Sequence, residues 1–194
     1  MRRRFAILVL AALAVAAPAR AESLAGKLLV ADDQLADPHF RHTVVLLVES
    51  DEKGAFGIVI NRSMAEVEAG ELMRDMGRDD QGASGKIEIR MGGPVQPETG
   101  WVIHSPDYKA PTTHEVTPEI AVTADPAILD EIAHGKGPTS RIVALGYAGW
   151  GAGQLESEMA RGDWFTEPAD AALVFGTAPD EMWDKAFAAR GIEL

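Results

Sequence analysis

The glycine-rich stretch at residues 145–158, LGYAGWGAGQLESE, constrains the fold of this 194-residue chain more than any other segment. Its four central glycines are Gly146, Gly149, Gly151 and Gly153. They surround two large aromatic residues, Tyr147 and Trp150. An apolar run at 141–145 precedes the glycines and a polar segment follows from Gln154. The pattern therefore predicts a strand, a glycine loop and a helix.

Such a strand, loop and helix N-terminus can bind an anion through backbone N–H groups. The glycine spacing departs from G-x-G-x-x-G, however, and no Lys-Ser or Lys-Thr pair follows as in a P-loop. Glu156 and Glu158 lie in the first turns of the predicted helix, where they would repel phosphate. Two interpretations stay open. The segment is a tight crossover whose glycines make room for the aromatic rings, or it is a binding pocket with Trp150, Gln154 and Glu156 in its wall.

Short apolar runs along the chain predict a protein with many strands and scattered helices. The predicted strands cover 28–31, 44–48, 55–60, 87–91, 101–104, 115–122, 141–145 and 164–166. Helices are predicted at 66–76, 126–135 and 154–161, and after a possible capping box at 177–180. Strands 44–48 and 55–60 should pair as a hairpin. Because strands and helices do not alternate regularly, the fold class is α+β, with one domain over residues 22–194.

Residues 1–21 have the three parts of a secretory signal peptide. Arginines at positions 2–4 precede an apolar run at 6–17, and the sequence Ala-Arg-Ala ends at Ala21. We expect cleavage after Ala21 and a periplasmic or secreted protein without stable membrane insertion. An uncleaved anchor and a misplaced start codon are the alternatives. The arginines also fit a twin-arginine leader, although three in a row match that pattern weakly.

The charge of the chain disfavours nucleic acid as a partner. The 18 basic and 30 acidic residues give a net charge of −12, and removal of the four arginines in residues 1–21 gives −16. A surface this acidic repels phosphate backbones and anionic lipids. The absence of cysteine excludes disulfides, thiol nucleophiles and thiolate metal sites.

Three segments resemble the YqgE/AlgH family of small bacterial proteins. They are LLVADDQLADPHFRHTVVLLVESDEKGAFGIVINR at 28–62, MGGPVQPETGWVIHS at 91–105, and the glycine-rich stretch at 145–158. The resemblance covers almost the whole chain after the leader and implies a mixed, strongly curved or barrel-like β-sheet surrounded by helices. It brings no established enzymatic activity. Most members are cytoplasmic and lack a leader, which leaves a cytoplasmic location as the alternative to export.

The resemblance also selects candidate ligand-binding residues, because three of its motifs stand far apart in the sequence and could converge on one surface. These candidates are Asn61, Arg62, Gly92, Gly93, Trp150, Gly153, Gln154 and Glu156. Arg62 stands at a strand end, where an arginine can bind a carboxylate or phosphate with two hydrogen bonds. The alternative for Arg62 is a salt bridge with one of the many acidic residues.

Three histidines are candidates for chemical sites. His104 ends a predicted strand and is the strongest candidate for a general base, with Glu156 as a second catalytic candidate, yet no hydrolase motif accompanies them. His39 and His42 stand near several aspartates, but the H-x-x-H spacing in an extended segment places the two rings on opposite faces. We therefore expect no metal site and no cofactor.

The sequence favours a non-catalytic module that binds a small ligand or a protein partner after export. The first alternative is an enzyme of unrecognised type, for example a hydrolase, that uses His104, Glu156 and Arg62. The second alternative is the transcriptional regulation implied by the label often attached to the family, which the acidic charge and the missing helix-turn-helix pattern disfavour. The oligomeric state is left open.

Overall fold

The computed structural model describes residues 23–190. The predicted signal peptide at 1–21 lies outside these residues. Ten strands are present in the described part: β1 Lys27–Ala31, β2 Val44–Asp51, β3 Gly54–Val59, β4 Ser63–Glu68, β5 Lys86–Met91, β6 Val95–His104, β7 His114–Thr117, β8 Ile120–Thr123, β9 Arg141–Gly151 and β10 Trp164–Pro168. The same residues form five helices: α1 Ala69–Asp75, α2 Ala127–Ala133, α3 Gln154–Ala160, α4 Ala171–Gly176 and α5 Pro179–Ala189. No helix within 23–190 is both long and apolar enough to cross a membrane.

The strands form one mixed sheet around the long strand β9. The main path runs β10-β1-β2-β3-β9-β6-β8-β7 with antiparallel neighbours, and β5 joins β9 in parallel while β4 pairs with β5. Strand β9 pairs with β5 near its start and with β3 near its end. The curved sheet and its surrounding helices confirm the predicted α+β class.

Side chains on both faces of the sheet are buried, which explains why the strand sequences are continuous apolar runs rather than alternating ones. In β1, Leu28 and Val30 pack into a core with α4 and α5, while Leu29 and Ala31 pack on the opposite face with Leu155 of α3. Helices α1 and α2 cover β5, β6 and β9 elsewhere on the sheet.

The structure corrects four local predictions. Residues 66–68, predicted as the start of a helix, belong to strand β4, because they pair with β5. Residues 115–122 form a hairpin, β7 and β8, interrupted at Pro118. The predicted glycine loop is mostly strand, since β9 continues to Gly151. The capping box is wrong because Thr177 ends the unpredicted helix α4, and Ala178 precedes α5 without a side-chain cap.

Candidate functional site

Three aromatic rings from separate parts of the chain border a cleft of about 320 Å³. Trp150 comes from the end of β9, Trp164 from the start of β10, and Phe40 from the loop between β1 and β2. The ring centres of Phe40 lie 6.3 Å from Trp150 and 5.6 Å from Trp164. Both tryptophans are buried and Phe40 is half-buried, so the rings form a packed wall rather than an open stacking platform. We call this space the tryptophan cleft.

The carboxylate of Glu158 is fixed at the tryptophan cleft by three N–H donors. The indole nitrogens of Trp150 and Trp164 each donate to its Oε2 at 2.9 Å. The amide of Gln154 donates to its Oε1 at 3.0 Å. Hydrogen bonds to a carboxylate are among the strongest in proteins, so this arrangement holds the charge in one position.

Helix α3 places Gln154 and Glu158 on the same side because they are four residues apart. Gly153 precedes the helix with a left-handed backbone, φ 72°. The Gln154 side-chain oxygen accepts a hydrogen bond from the backbone N–H of Gly151 at 3.1 Å, which closes the turn between β9 and α3. Leu155, fully buried on the other side of the helix, fixes it against the sheet.

The charges that line the tryptophan cleft are mostly negative. Asp37, Glu158 and Asp163 contribute carboxylates, and Arg161 is the cation among the lining residues. The Arg161 guanidinium forms an ion pair with Asp163 at 2.7 Å. Asp37, with a side chain 48% exposed, and Glu158 therefore leave the cleft with a net negative charge.

Asn61 and Arg62 hold the loop that carries Phe40. Asn61 accepts a hydrogen bond from the Val44 N–H at 2.8 Å and donates to the His42 carbonyl at 3.0 Å. Arg62 donates to the Arg41 carbonyl at 2.7 Å. His42 has φ 55°, an uncommon conformation for a non-glycine residue, and these bonds stabilise it. Within residues 23–190, Arg62 forms no salt bridge.

Gly92 and Gly93 serve close backbone packing and do not line the tryptophan cleft. Gly92 accepts from the Val59 N–H and donates to the Leu145 carbonyl, both at 2.7 Å. A Cβ at Gly93 would lie 2.2 Å from the carbonyl carbon of Tyr147. These glycines neighbour Arg62, whose carbonyl accepts from the Met91 N–H at 2.8 Å.

The three motifs, at 61–62, 92–93 and 150–156, are therefore close in the fold, but only some of their residues line one site. Trp150 and Gln154 line the tryptophan cleft directly. Asn61 and Arg62 act on the cleft through the Phe40 loop. Glu156 is exposed and does not line the cleft.

His104 and Glu156 lie at opposite ends of β9. His104 pairs with Arg141 at the start of the strand, whereas α3, which carries Glu156, follows its last residue, Gly151. Ten residues of strand span about 30 Å, so the two side chains do not form a joint acid–base pair. The enzyme alternative required them to gather in one concave site.

The ring of His104 is fully buried and hydrogen-bonded through both nitrogens. Its Nδ1 donates to the Ser105 carbonyl at 2.8 Å, and its Nε2 accepts from the Thr123 hydroxyl at 2.9 Å. The Thr113 hydroxyl lies 2.8 Å from that of Thr123 and completes this chain. Burial lowers the pKa of His104, which keeps the ring neutral.

His39 and His42 contact different carboxylates. Nδ1 of His39 lies 3.0 Å from Asp37, and Nε2 of His42 lies 3.1 Å from Asp33. The His42 ring also stacks on Trp183 with 4.1 Å between ring centres. Residues 23–190 contain no group of three or more His, Asp or Glu side chains placed to hold a metal ion.

Glu158 and Trp164 are cleft residues that the sequence interpretation missed. The available signal was the four-residue spacing from Gln154, which places Glu158, and not Glu156, on the same helix face. Trp164 had no such signal, because its position depends on the pairing of β10 with β1.

The curved mixed sheet and its surrounding helices define a small α+β protein of the kind found in the AlgH-like family. The sequence pattern of that family, described as AlgH-like, matches residues 28–194, and the chain belongs to it.

The similarity to known relatives extends over most of this chain and most of each relative. A UPF0301 protein from Jannaschia sp. (strain CCS1) is 40% identical over 182 residues, which are 92% of this chain and 94% of the relative. A UPF0301 protein from Xanthomonas euvesicatoria pv. vesicatoria is 40% identical over 172 residues, 88% and 91% of the two chains. The solution structure of the AlgH protein from Pseudomonas aeruginosa is similar with a TM-score of 0.72 and 36% identity, over 93% of this chain and 94% of that one.

Proposed function

We propose that this protein is a non-catalytic binding module that acts after export to the periplasm, and that the tryptophan cleft binds a small cationic group. The observation that carries the proposal is the Glu158 carboxylate, held by two indoles and an amide at the edge of an aromatic cleft. Because the carboxylate is already held in position, a ligand can bind without a free-energy cost for ordering this side chain, as expected for a preformed recognition site.

The lining chemistry favours a guanidinium or ammonium group. Among residues 23–190, Oε1 of Glu158 accepts one hydrogen bond, so it retains capacity to accept another. Asp37 adds a second carboxylate, and the half-buried ring of Phe40 provides an aromatic surface that attracts cations. A space of about 320 Å³ suits a small molecule or a single side chain of a partner protein.

The binding role is also supported by the environment of the candidate base. Both nitrogens of His104 are already hydrogen-bonded, and its ring is fully buried at the opposite end of β9 from the helix that carries Glu156. A module that recognises ligands without transforming them needs neither residue in a catalytic role.

Calorimetric titration with Nα-acetylarginine methyl ester tests the proposal, with Nα-acetylcitrulline methyl ester, which carries no charge, as the neutral isostere. We expect Glu158→Gln to weaken binding of the arginine ester at least tenfold, because a hydrogen bond to a charged group contributes about 1.5–3 kcal/mol. Glu156→Gln, on the same helix but outside the cleft, is the matched control and should change affinity less than twofold. Equal affinity for the two esters, or unchanged affinity in Glu158→Gln, would contradict the proposal.

A further inference from the structure

A second cleft lies where helices α1 and α2 pack on the sheet. It encloses about 270 Å³ and shares no lining residue with the tryptophan cleft. Its walls are mainly apolar side chains: Leu72, Met76, Ile89, Val102, Ile128, Leu129, Val143 and Leu145. Leu72, Met76, Leu129 and Leu145 are only partly buried, so the folded chain leaves apolar surface in contact with water here. We call this space the helix cleft.

Contacts between the two helices and their flanking loop fix the shape of the helix cleft. Arg78, just after α1, forms an ion pair with Asp130 of α2. The Ser84 N–H donates to the Ala133 carbonyl at the end of α2 at 2.9 Å. These contacts within the chain hold the walls of the helix cleft in place.

Two carboxylates, Glu98 and Asp125, stand at the helix cleft. Neither takes part in a salt bridge within residues 23–190. Asp125 accepts a hydrogen bond from the Ala127 N–H at 2.9 Å, which fixes its position at the start of α2. The charges of Glu131 and Asp125 add to burial in raising the pKa of Tyr108, as expected for a region of negative potential.

The size of the helix cleft limits its occupant. A dry apolar cavity of about 150 Å³ holds benzene, so a space of 270 Å³ accommodates one ring with a short chain. Transfer of such a group from water onto the partly exposed leucines and methionine is favourable because it buries apolar surface.

We propose that the helix cleft is a separate binding site for a small amphipathic amine, whose apolar body packs between α1, α2 and the sheet while its ammonium group faces Glu98 and Asp125. The apolar walls favour a ligand with an apolar body, and the two carboxylates without a salt-bridge partner favour a ligand with a positive charge. An amphipathic carboxylate of the same size is disfavoured, because it would meet these carboxylates.

Gly100 provides a specific way to fill the helix cleft. It lies in β6 and lines the cleft, and a Cβ built on it would meet only the Leu145 Cδ2 atom, at 3.9 Å. A leucine at position 100 is therefore accommodated by the backbone and occupies the space of the ligand.

The test is a titration of the purified protein with 2-phenylethylamine, followed by NMR of the leucine, isoleucine and valine methyl groups, with 2-phenylethanol as the neutral probe. We expect shifts at Ile128, Leu129 and Leu145, and at least fivefold weaker binding of the alcohol. Gly100→Leu should abolish the shifts, and Glu98→Gln, which alters only an exposed side chain, should weaken amine binding about threefold or more.

Glu158→Gln separates this site from the tryptophan cleft, because it should leave amine binding in the helix cleft unchanged. Shifts confined to the tryptophan cleft, equal binding of amine and alcohol, or full binding by a folded Gly100→Leu variant would each overturn the proposal. Should Gly100→Leu not fold, the amine-to-alcohol preference and its reduction in Glu98→Gln decide the matter.

Discussion

Asn61 shows how a single side chain can shape a site from a distance. It satisfies the N–H of Val44, which is fully buried at the start of β2, and the carbonyl of His42 in the adjacent turn. Both partners belong to the segment that carries Phe40 to the tryptophan cleft. The role of Asn61 is therefore positioning of the loop, and Arg62 supports the same loop through Arg41.

We expect Asn61→Ala to lower the free energy of unfolding by about 1–3 kcal/mol, because it leaves a buried backbone N–H without a partner. Arg62→Ala removes one exposed hydrogen bond and should cost about 1 kcal/mol or less. Urea denaturation followed by tryptophan fluorescence measures both values. Equal stabilities of Asn61→Ala and the unchanged protein would refute the positioning role.

At the level of elements, strand β9 and the β5–β6 turn approach each other so closely that only glycine fits between them. Cβ atoms at Gly93 and Gly146 would lie 2.2–2.3 Å from backbone atoms of the facing segment. Gly93 also has φ 151° and Gly146 has φ 75°. These glycines permit β9 to continue past its midpoint and to deliver Trp150 to the tryptophan cleft.

Two glycine-to-alanine substitutions distinguish close packing from backbone conformation. Gly93→Ala combines strain of about 1–3 kcal/mol with overpacking of about 1–3 kcal/mol, so we expect a loss of roughly 3 kcal/mol or more. Gly153→Ala has a left-handed φ of 72° but open space around the new Cβ, and should lose about 1–2 kcal/mol. Thermal unfolding by circular dichroism measures the difference. A Gly93→Ala variant as stable as Gly153→Ala would show that the two segments can separate.

Sequence patterns predicted the elements whose signal is local and missed those that depend on distant partners. The 44–48 and 55–60 hairpin formed as β2 and β3, because apolar runs flanking a short turn specify their own pairing. Residues 63–68 became a strand because β5 offers a partner, which no local pattern reveals. Likewise, Trp150 and Gln154 could be chosen from one motif, whereas Trp164 and Phe40 joined them through long-range packing.

At the level of the whole molecule, the acidic charge acts on both clefts in the same direction. Removal of residues 1–21 would raise the net negative charge from −12 to −16. A long-range field of this sign concentrates cations near the surface and repels polyanions. The local carboxylates in the two clefts and the field of the whole chain therefore favour the same class of ligand.

The predicted export determines the cell compartment in which such ligands would be found. The arginines at 2–4, the apolar run at 6–17 and the small residues up to Ala21 together predict a leader that is removed. In fractionated cells of the native host, mass spectrometry should find a periplasmic chain that begins at Glu22. Leu10→Arg places a charge within the apolar run, which a leader does not tolerate, and should leave an uncleaved chain in the cytoplasm. If instead the unchanged protein is cytoplasmic and retains its arginines, the leader prediction is wrong, and cytoplasmic amines become the relevant ligands for both clefts.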